Sequence, residues 1–177
     1  MRRRAFLALS VAAFAAPLRA GTFAHAFTFE SIDGGALPLS RFAGRALLVV
    51  NTASRCGFTY QYEALQTLWR RYRDRGLTVL GVPSDQFRQE LSSEAEVKDF
   101  CETNFAIDFP MTAITPVAGS NAHPFYAWAA GRLGAPRWNF HKYLIDPAGR
   151  PVAAFGTGTD PTEPEVLEAI ERALPDA

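Results

Sequence analysis

Two cysteines are the only thiol groups in this chain of 177 residues, and one of them lies where a reactive thiol is expected. Cys56 falls within the sequence NTASRCGFT (residues 51–59), between an apolar run typical of a buried strand and the predicted start of a helix. Unpaired amides at a helix N-terminus favour a thiolate, which is the form of cysteine that attacks peroxides and disulfides. Arg55 adds a positive charge beside it. This position therefore favours a reactive cysteine.

A structural disulfide between Cys56 and Cys101 is the alternative interpretation. The two residues are 45 positions apart, and closing a loop of that length would stabilise the fold by roughly 4 kcal/mol in the chain-entropy model. A domain of this size scarcely requires such a crosslink. The absence of a Cys-x-x-Cys motif argues against a thiol–disulfide oxidoreductase. Position alone leaves the reactive and the structural role open.

Hydrophobic patterning and turn residues indicate the elements that must position Cys56. We predict, in chain order, a hairpin over 27–39, a buried strand over 46–51, a helix with an apolar stripe over 62–72, a buried strand over 77–82, a helix opened by the capping box SEAE (93–96), a helix over 124–132, a hairpin of strands 138–145 and 151–155, and a helix over 161–174. This order indicates an α/β fold. A thioredoxin-like layout satisfies it, with a central mixed sheet flanked by helices and an N-terminal β-hairpin, although other small α/β folds do as well.

Composition excludes several classes of protein. Basic and acidic residues number 18 each, and no dense basic stripe follows the first four residues, so no nucleic-acid partner is predicted. Two cysteines cannot form a four-cysteine zinc site, and the three histidines (His25, His123 and His141) lack the spacing of metal ligands. We therefore predict neither a metal nor another bound cofactor.

Residues 1–20 are predicted to be a signal peptide preceding a single domain over 21–177. A basic leader, MRRR, is followed by twelve mostly apolar residues, which suit a signal peptide and are too few for stable membrane insertion. The sequence RRAFL (3–7) resembles the core of a twin-arginine signal, and the general secretory route is the alternative. Cleavage after Ala20, with Ala26 as the competing site, would leave a mature net charge of −4. We expect export to a bacterial periplasm, where disulfides can form.

Four blocks resemble, in order, the signature segments of the glutathione peroxidase family. They are NTASRCGFT (51–59), which resembles Asn-Val-Ala-Ser-x-Cys-Gly; GVPSDQFRQE (81–90), which resembles Gly-Phe-Pro-x-Asn-Gln-Phe-x-x-Gln-Glu; Phe100-Cys101 with FPM (109–111); and WNFHKYLID (138–146), which resembles Trp-Asn-Phe-x-Lys-Phe-Leu-Ile-Asp. The resemblance extends from about residue 27 to residue 174. It implies a thioredoxin-like fold and a cysteine-type, non-selenium peroxidase.

The resemblance also implies roles for four side chains. Cys56 would be the peroxidatic residue, with Gln89, Trp138 and Asn139 around it as N–H donors. The thiolate would attack the O–O bond of hydrogen peroxide or an organic hydroperoxide and become a sulfenic acid. The family has one more residue before its Gln-Glu pair than this chain has, so Gln86 is the alternative to Gln89.

Cys101 matches a resolving cysteine of non-selenium family members, whose thiol condenses with the sulfenic acid to give a disulfide. A buried, inert cysteine is the alternative. The resemblance implies a thioredoxin-like protein or glutathione as reductant, and a monomer with a flat, open site that admits lipid hydroperoxides. A different function stays open on the same residues: a peroxide-sensing relay that passes the disulfide from Cys56 to a client protein.

Overall fold

The computed structural model describes residues 23–175, so the predicted signal peptide lies outside the described part of the chain. A four-stranded mixed sheet forms its centre, in the order β4-β3-β5-β6, and a separate two-stranded hairpin precedes it. The strands are β1 (Thr28–Glu30), β2 (Ala36–Pro38), β3 (Ala46–Thr52), β4 (Leu77–Pro83), β5 (Lys142–Ile145) and β6 (Pro151–Phe155). The predicted α/β class, mixed sheet and N-terminal hairpin are confirmed.

Strand β3 is the centre of the molecule, because it pairs in parallel with β4 and antiparallel with β5. All seven of its residues are buried, as expected of a strand that is covered on both faces. Alternate side chains point to opposite sides, so that Leu48 and Val50 join one apolar cluster while Leu47 and Val49 join another.

Helices of the described region cover both sides of the sheet. They are α1 (Gln61–Tyr72), α2 (Glu94–Phe105), α3 (Pro124–Leu133) and α4 (Pro164–Ala173). We call the side covered by α1, α2 and α4 the cysteine face, because its core includes Cys56 and Cys101. The side covered by the hairpin and α3 is the aromatic face. No helix within residues 23–175 is long and apolar enough to cross a bilayer.

Helix boundaries follow from local capping. The predicted capping box opens α2, with the Glu96 amide donating to Ser93 Oγ at 3.3 Å. The His123 ring opens α3: its Nδ1 accepts from the Phe125 amide at 3.2 Å, and its Nε2 donates to the Thr28 carbonyl at 3.0 Å. Burial lowers the pKa of His123, and the ring stacks on Phe29 with 3.9 Å between centroids.

The predicted strand over 138–145 is wrong in its first half. Only Lys142–Ile145 pairs as a strand, and residues 138–141 form a loop beside the end of β3. Phe140 takes a left-handed backbone conformation, with φ of 60°, which turns the chain out of strand geometry and buries the ring in the cysteine face. The last helix likewise begins at Pro164, after a turn, and not at Pro161.

Candidate active site

Cys56 lies in a tight turn directly after β3, with 8% of its surface exposed. Thr59 organises the turn, because its hydroxyl accepts from the Cys56 amide at 3.1 Å and donates to the Ala53 carbonyl at 3.0 Å. The Phe58 amide donates to Cys56 Sγ at 3.4 Å. Helix α1 begins only at Gln61, so the N–H group nearest the sulfur belongs to the turn that leads into the helix.

Gln89 and Asn139 meet, although 50 positions separate them. The Asn139 Nδ2 group donates to Gln89 Oε1 at 3.0 Å. The Gln89 carbonyl in turn accepts from the Arg55 amide at 2.8 Å, which joins this pair to the Cys56 turn. Gln89 keeps its own amide N–H donors free of any partner in the described region. Gln86, the alternative, is exposed, and its backbone N–H donates to Ser84 Oγ at 3.3 Å.

Trp138 forms the exposed rim of the site, with 39% of its surface accessible. Its ring packs against Phe87, with centroids 5.2 Å apart, so the block that contains Gln89 also supports the indole. Within residues 23–175 the indole N–H donates to no protein group, and it is available to a bound molecule. Asn139, by contrast, is completely buried.

Asn51, the penultimate residue of β3, holds the loop that carries Trp138 and Asn139. Its Nδ2 group donates to the Trp138 carbonyl at 3.1 Å, and its Oδ1 accepts from the His141 amide at 3.1 Å. Its carbonyl accepts from the Phe140 amide at 2.6 Å. Sequence reasoning missed this role. The available signal was a polar residue near the end of an otherwise apolar strand.

Glu90 is a second residue for which sequence reasoning gave no role. Its Oε1 accepts from the backbone amides of Ser54 and Leu91, at 2.9 and 2.8 Å, and thereby fixes the start of the Cys56 turn. Its side chain is 6% exposed, and burial raises the pKa of the carboxyl.

Lys142 is the third residue for which sequence reasoning gave no role, and it is completely buried in β5. Its Nζ donates to Gln61 Oε1 at 2.7 Å and to the Thr159 carbonyl at 2.5 Å. The Thr157 hydroxyl, in the same loop as Thr159, donates to the Asn139 carbonyl at 2.8 Å. Burial lowers the pKa of Lys142 to about 8. The lysine thus ties the start of α1 to the loop that supports Asn139.

Cys101 lies on α2 and is completely buried. It shares the apolar core of the cysteine face with Cys56, and both thiols are free. Burial raises the pKa of the Cys101 thiol to about 12. The structure therefore contains two free thiols, one in the turn after β3 and the other deep within the core.

Exposed basic and aromatic side chains occur in the segments that carry the candidate site residues. Arg55, Arg88 and Arg137 are exposed in the segments that carry Cys56, Gln89 and Trp138, and none forms an ion pair with another described residue. Tyr60 is 56% exposed on the same turn as Cys56. The surface can therefore accept apolar and anionic groups. No cluster of three or more metal-ligating side chains occurs within residues 23–175.

The fold and site together define a thioredoxin-fold protein with a free cysteine in the turn that follows its central strand. The model of the family described as "Glutathione peroxidase" matches residues 24–130. The chain is 44% identical over 152 residues to the glutathione peroxidase homolog BsaA of Bacillus subtilis, covering 81% of this chain and 95% of that one. It is 40% identical over 162 residues to the hydroperoxy fatty acid reductase gpx1 of Synechocystis, covering 85% and 95%. The chain belongs to the glutathione peroxidase family, as a non-selenium member, and it is a peroxidase.

Further comparisons agree. The thioredoxin/glutathione peroxidase BtuE of Escherichia coli is 36% identical over 171 residues, covering 82% of this chain and 93% of that one. The crystal structure of T. cruzi GPX1 is 36% identical, covers 86% of this chain and 94% of that one, and superposes with a TM-score of 0.66. A thioredoxin-family protein of Chlorobium tepidum, 17% identical, covers 86% and 95% with a TM-score of 0.64, which shows the thioredoxin-like fold. The substrate is a hydroperoxide and the reductant a thiol.

Proposed function

We propose that Cys56 is the peroxidatic cysteine and that Gln89, Trp138 and Asn139 form its peroxide-binding surroundings. The observation that carries this proposal is the hydrogen bond between Asn139 and Gln89, at 3.0 Å, next to the turn that holds Cys56. This bond joins the block that contains Gln89 to the block that contains Asn139, next to the block that contains Cys56. It also favours Gln89 over the exposed Gln86, despite the shorter spacing in this chain.

The first step requires a thiolate, a positioned peroxide and a stabilised leaving oxygen. The Cys56 sulfur attacks one peroxide oxygen, the O–O bond breaks, and the sulfur becomes a sulfenic acid. The departing oxygen takes up a proton and leaves as water or an alcohol. The free N–H groups of Gln89 and Trp138 suit the stabilisation of the charge that develops on that oxygen.

Cys101 then resolves the sulfenic acid and forms a Cys56–Cys101 disulfide with release of water. A disulfide requires Cα atoms within about 7 Å, so the first turns of α2 are expected to shift or unwind during this step. A thioredoxin-like protein or a small thiol such as glutathione reduces the disulfide by exchange. The name of the Escherichia coli relative, which mentions both reductants, supports this assignment.

Lipid hydroperoxides are proposed as substrates together with hydrogen peroxide. The exposed rings of Tyr60 and Trp138, in the segments that carry the candidate site, suit apolar contact, and the exposed arginines of the same segments suit a carboxylate or phosphate. The name of the Synechocystis relative, a hydroperoxy fatty acid reductase, points to the same class. We also propose that the enzyme acts as a monomer in the bacterial periplasm, after export through residues 1–20, by the twin-arginine or the general secretory route.

The test is a rapid-quench experiment on the reduced protein with one equivalent of hydrogen peroxide, followed by intact mass and peptide mapping. We expect a sulfenic acid on Cys56 and then a Cys56–Cys101 disulfide. Cys56→Ser should abolish turnover, whereas Cys101→Ser should retain the first step and accumulate sulfenic acid. Comparable turnover by Cys56→Ser would refute the mechanism. A dominant mixed disulfide with another protein, in place of steady turnover, would favour the relay.

A further inference from the structure

Unpaired polar atoms are concentrated between the Cys56 turn and Cys101. Eight buried side-chain polar atoms within residues 23–175 lack a hydrogen-bond partner. Four of them belong to residues that lead from one cysteine to the other: Thr52 Oγ1, Ser54 Oγ, the Tyr62 hydroxyl and Glu90 Oε2. We call these four residues the buried oxygen cluster.

The contacts of Tyr62 connect this cluster to Cys101. Its ring is completely buried and fixed by Phe105 and Phe140, with centroids 5.3 and 5.4 Å away. Its hydroxyl lies beside the Cys101 thiol and the Thr52 hydroxyl but makes a well-formed hydrogen bond with neither. Tyr62 is therefore the polar group that faces the core thiol.

Glu90 closes the other end of the cluster. Its Oε1 is occupied by the Ser54 and Leu91 amides, whereas its Oε2 is buried without a partner beside the Ser54 hydroxyl. The carboxylate is also close enough to act electrostatically on both Tyr62 and Cys101. It is the acidic group of the cluster, and one of its oxygens is available to accept a proton.

Such an arrangement destabilises a core. A buried polar group without a partner loses its hydration and receives nothing in return, and native structures contain few of them. Apolar side chains of the same shape would pack at least as well. A concentration of four between two cysteines therefore points to a chemical role.

Formation of the disulfide by Cys101 requires removal of the thiol proton, and the buried oxygen cluster can meet this requirement. The attacking group is a thiolate, but the buried Cys101 thiol has a pKa near 12, which leaves about one thiol in 10⁵ ionised at pH 7. The proton must therefore leave the core before the sulfur attacks. Tyr62 is the hydroxyl beside the thiol, and Glu90 is the base of the cluster.

We propose that Glu90, acting through Tyr62 and the neighbouring hydroxyls, accepts the Cys101 proton during disulfide formation. This proposal rests on the resolving role of Cys101 proposed above. The Cys101 S–H bond breaks while α2 is still in place, and the proton passes to Glu90. As the helix shifts, the thiolate sulfur attacks the sulfur of the Cys56 sulfenic acid. The S–O bond breaks, the departing hydroxide recovers a proton from Glu90, and one water leaves. Sulfenic acid and thiol are thus converted to disulfide and water, with Glu90 returned to the carboxylate.

The test measures the two steps separately, by rapid quench and intact mass, in Tyr62→Phe and Glu90→Gln. Both variants should slow disulfide formation by about 100-fold, the lower end of what a positioned acid–base group contributes. Their resolution rate should also rise about tenfold per pH unit, because Cys101 must then ionise directly into solvent. In the wild type the rate should rise less steeply with pH.

Two variants serve as matched controls. Tyr126→Phe removes another completely buried, unpaired hydroxyl, on the aromatic face, and Asp99→Asn removes an exposed carboxylate of α2 two positions before Cys101. Both should resolve at the wild-type rate. Slow resolution in Tyr62→Phe and Glu90→Gln with an unchanged pH slope would mean that the cluster acts only structurally, and would overturn the proposal.

Failure of the proposal is distinguishable from failure of the proposed function. If the wild type itself forms no Cys56–Cys101 disulfide, the resolving role of Cys101 fails, and the proton relay with it. If the wild type forms the disulfide and both cluster variants match its rate, only the relay is wrong.

Discussion

The two faces of the sheet are built differently. The aromatic face is a cluster of rings around Phe125, which contacts Phe27, Phe29 and Tyr143 with centroids 5.7 to 6.3 Å apart. The Tyr126 hydroxyl is an unpaired polar atom within that cluster. The cysteine face holds both thiols and the buried oxygen cluster. One side of β3 therefore supplies stability, while the other tolerates unfavourable polar burial beside the two cysteines.

The test with the largest expected effect removes the central ring of the aromatic face. Phe125→Ala should lower the free energy of unfolding by about 3–5 kcal/mol, because it leaves a cavity among rings that cannot collapse into it. Urea unfolding measures this loss. The rate at which folded protein reacts with peroxide should stay at the wild-type value, since no described contact joins Phe125 to the Cys56 turn.

Val152→Ala is the control, since this side chain is 48% exposed and its truncation should have little effect on stability. A changed peroxide rate in Phe125→Ala would show that the two faces are coupled through the sheet, and the division between them would fail.

Lys142 should show the opposite behaviour, because it lies beneath the site. Lys142→Met leaves Gln61 Oε1 and the Thr159 carbonyl without their donor, at an expected loss of about 2–4 kcal/mol. It should also slow sulfenic acid formation on Cys56, since the loop that supports Asn139 is no longer tied to α1. The second-order rate constant with hydrogen peroxide, measured well below the unfolding temperature, separates the two effects. Loss of stability alone would make Lys142 a structural residue only.

The sequence predicts the elements that depend on neighbouring residues and misses those that depend on distant ones. Strands β3 and β4 and the capping box of α2 were predictable, because apolar runs and caps act over a few neighbouring residues. The loop over 138–141 was not, because Asn51 bends it from 87 to 90 positions away through hydrogen bonds that no local pattern records. The family match then supplied Trp138 and Asn139 without requiring the geometry.

Buried polar contacts between residues far apart in the chain were the other feature that the sequence did not predict. Glu90 binds an amide 36 positions away and Lys142 an amide oxygen 81 positions away, so each looks like an ordinary charged residue in sequence. Arg88, within the shortened segment before Gln89, has a left-handed backbone with φ of 57°. Such a conformation depends on the surrounding tertiary structure and is not encoded by the arginine itself.

Acid should test the aromatic face through His141, whose ring packs edge-on against Tyr143 with centroids 4.6 Å apart. Burial lowers its pKa to about 4, and its Nε2 is buried without a partner. Because the unfolded chain retains a histidine pKa near 6.5, it binds the extra proton first as the pH falls. Stability should therefore decrease between pH 6.5 and 4, by about 2 kcal/mol from this residue. Urea unfolding across that range should show a smaller slope in His141→Gln.

His123 adds to the slope with the same sign, since burial also lowers its pKa, so the slope in His141→Gln should be reduced and not abolished. An unchanged slope would mean that the folded protein accommodates a charged His141.

The smallest effect is the most discriminating, because it applies one change to both faces. Tyr62→Phe and Tyr126→Phe each remove a completely buried hydroxyl that has no well-formed hydrogen bond. Each should leave the free energy of unfolding within about 1 kcal/mol of the wild type, in the stabilising direction, because an unsatisfied polar group is lost while the ring remains. If Tyr62→Phe instead lost several kcal/mol, the oxygen cluster would be holding the cysteine face together. Equal and small stability changes, with slow resolution in Tyr62→Phe alone, would mean that the two hydroxyls are equivalent for folding and differ only in that one faces Cys101.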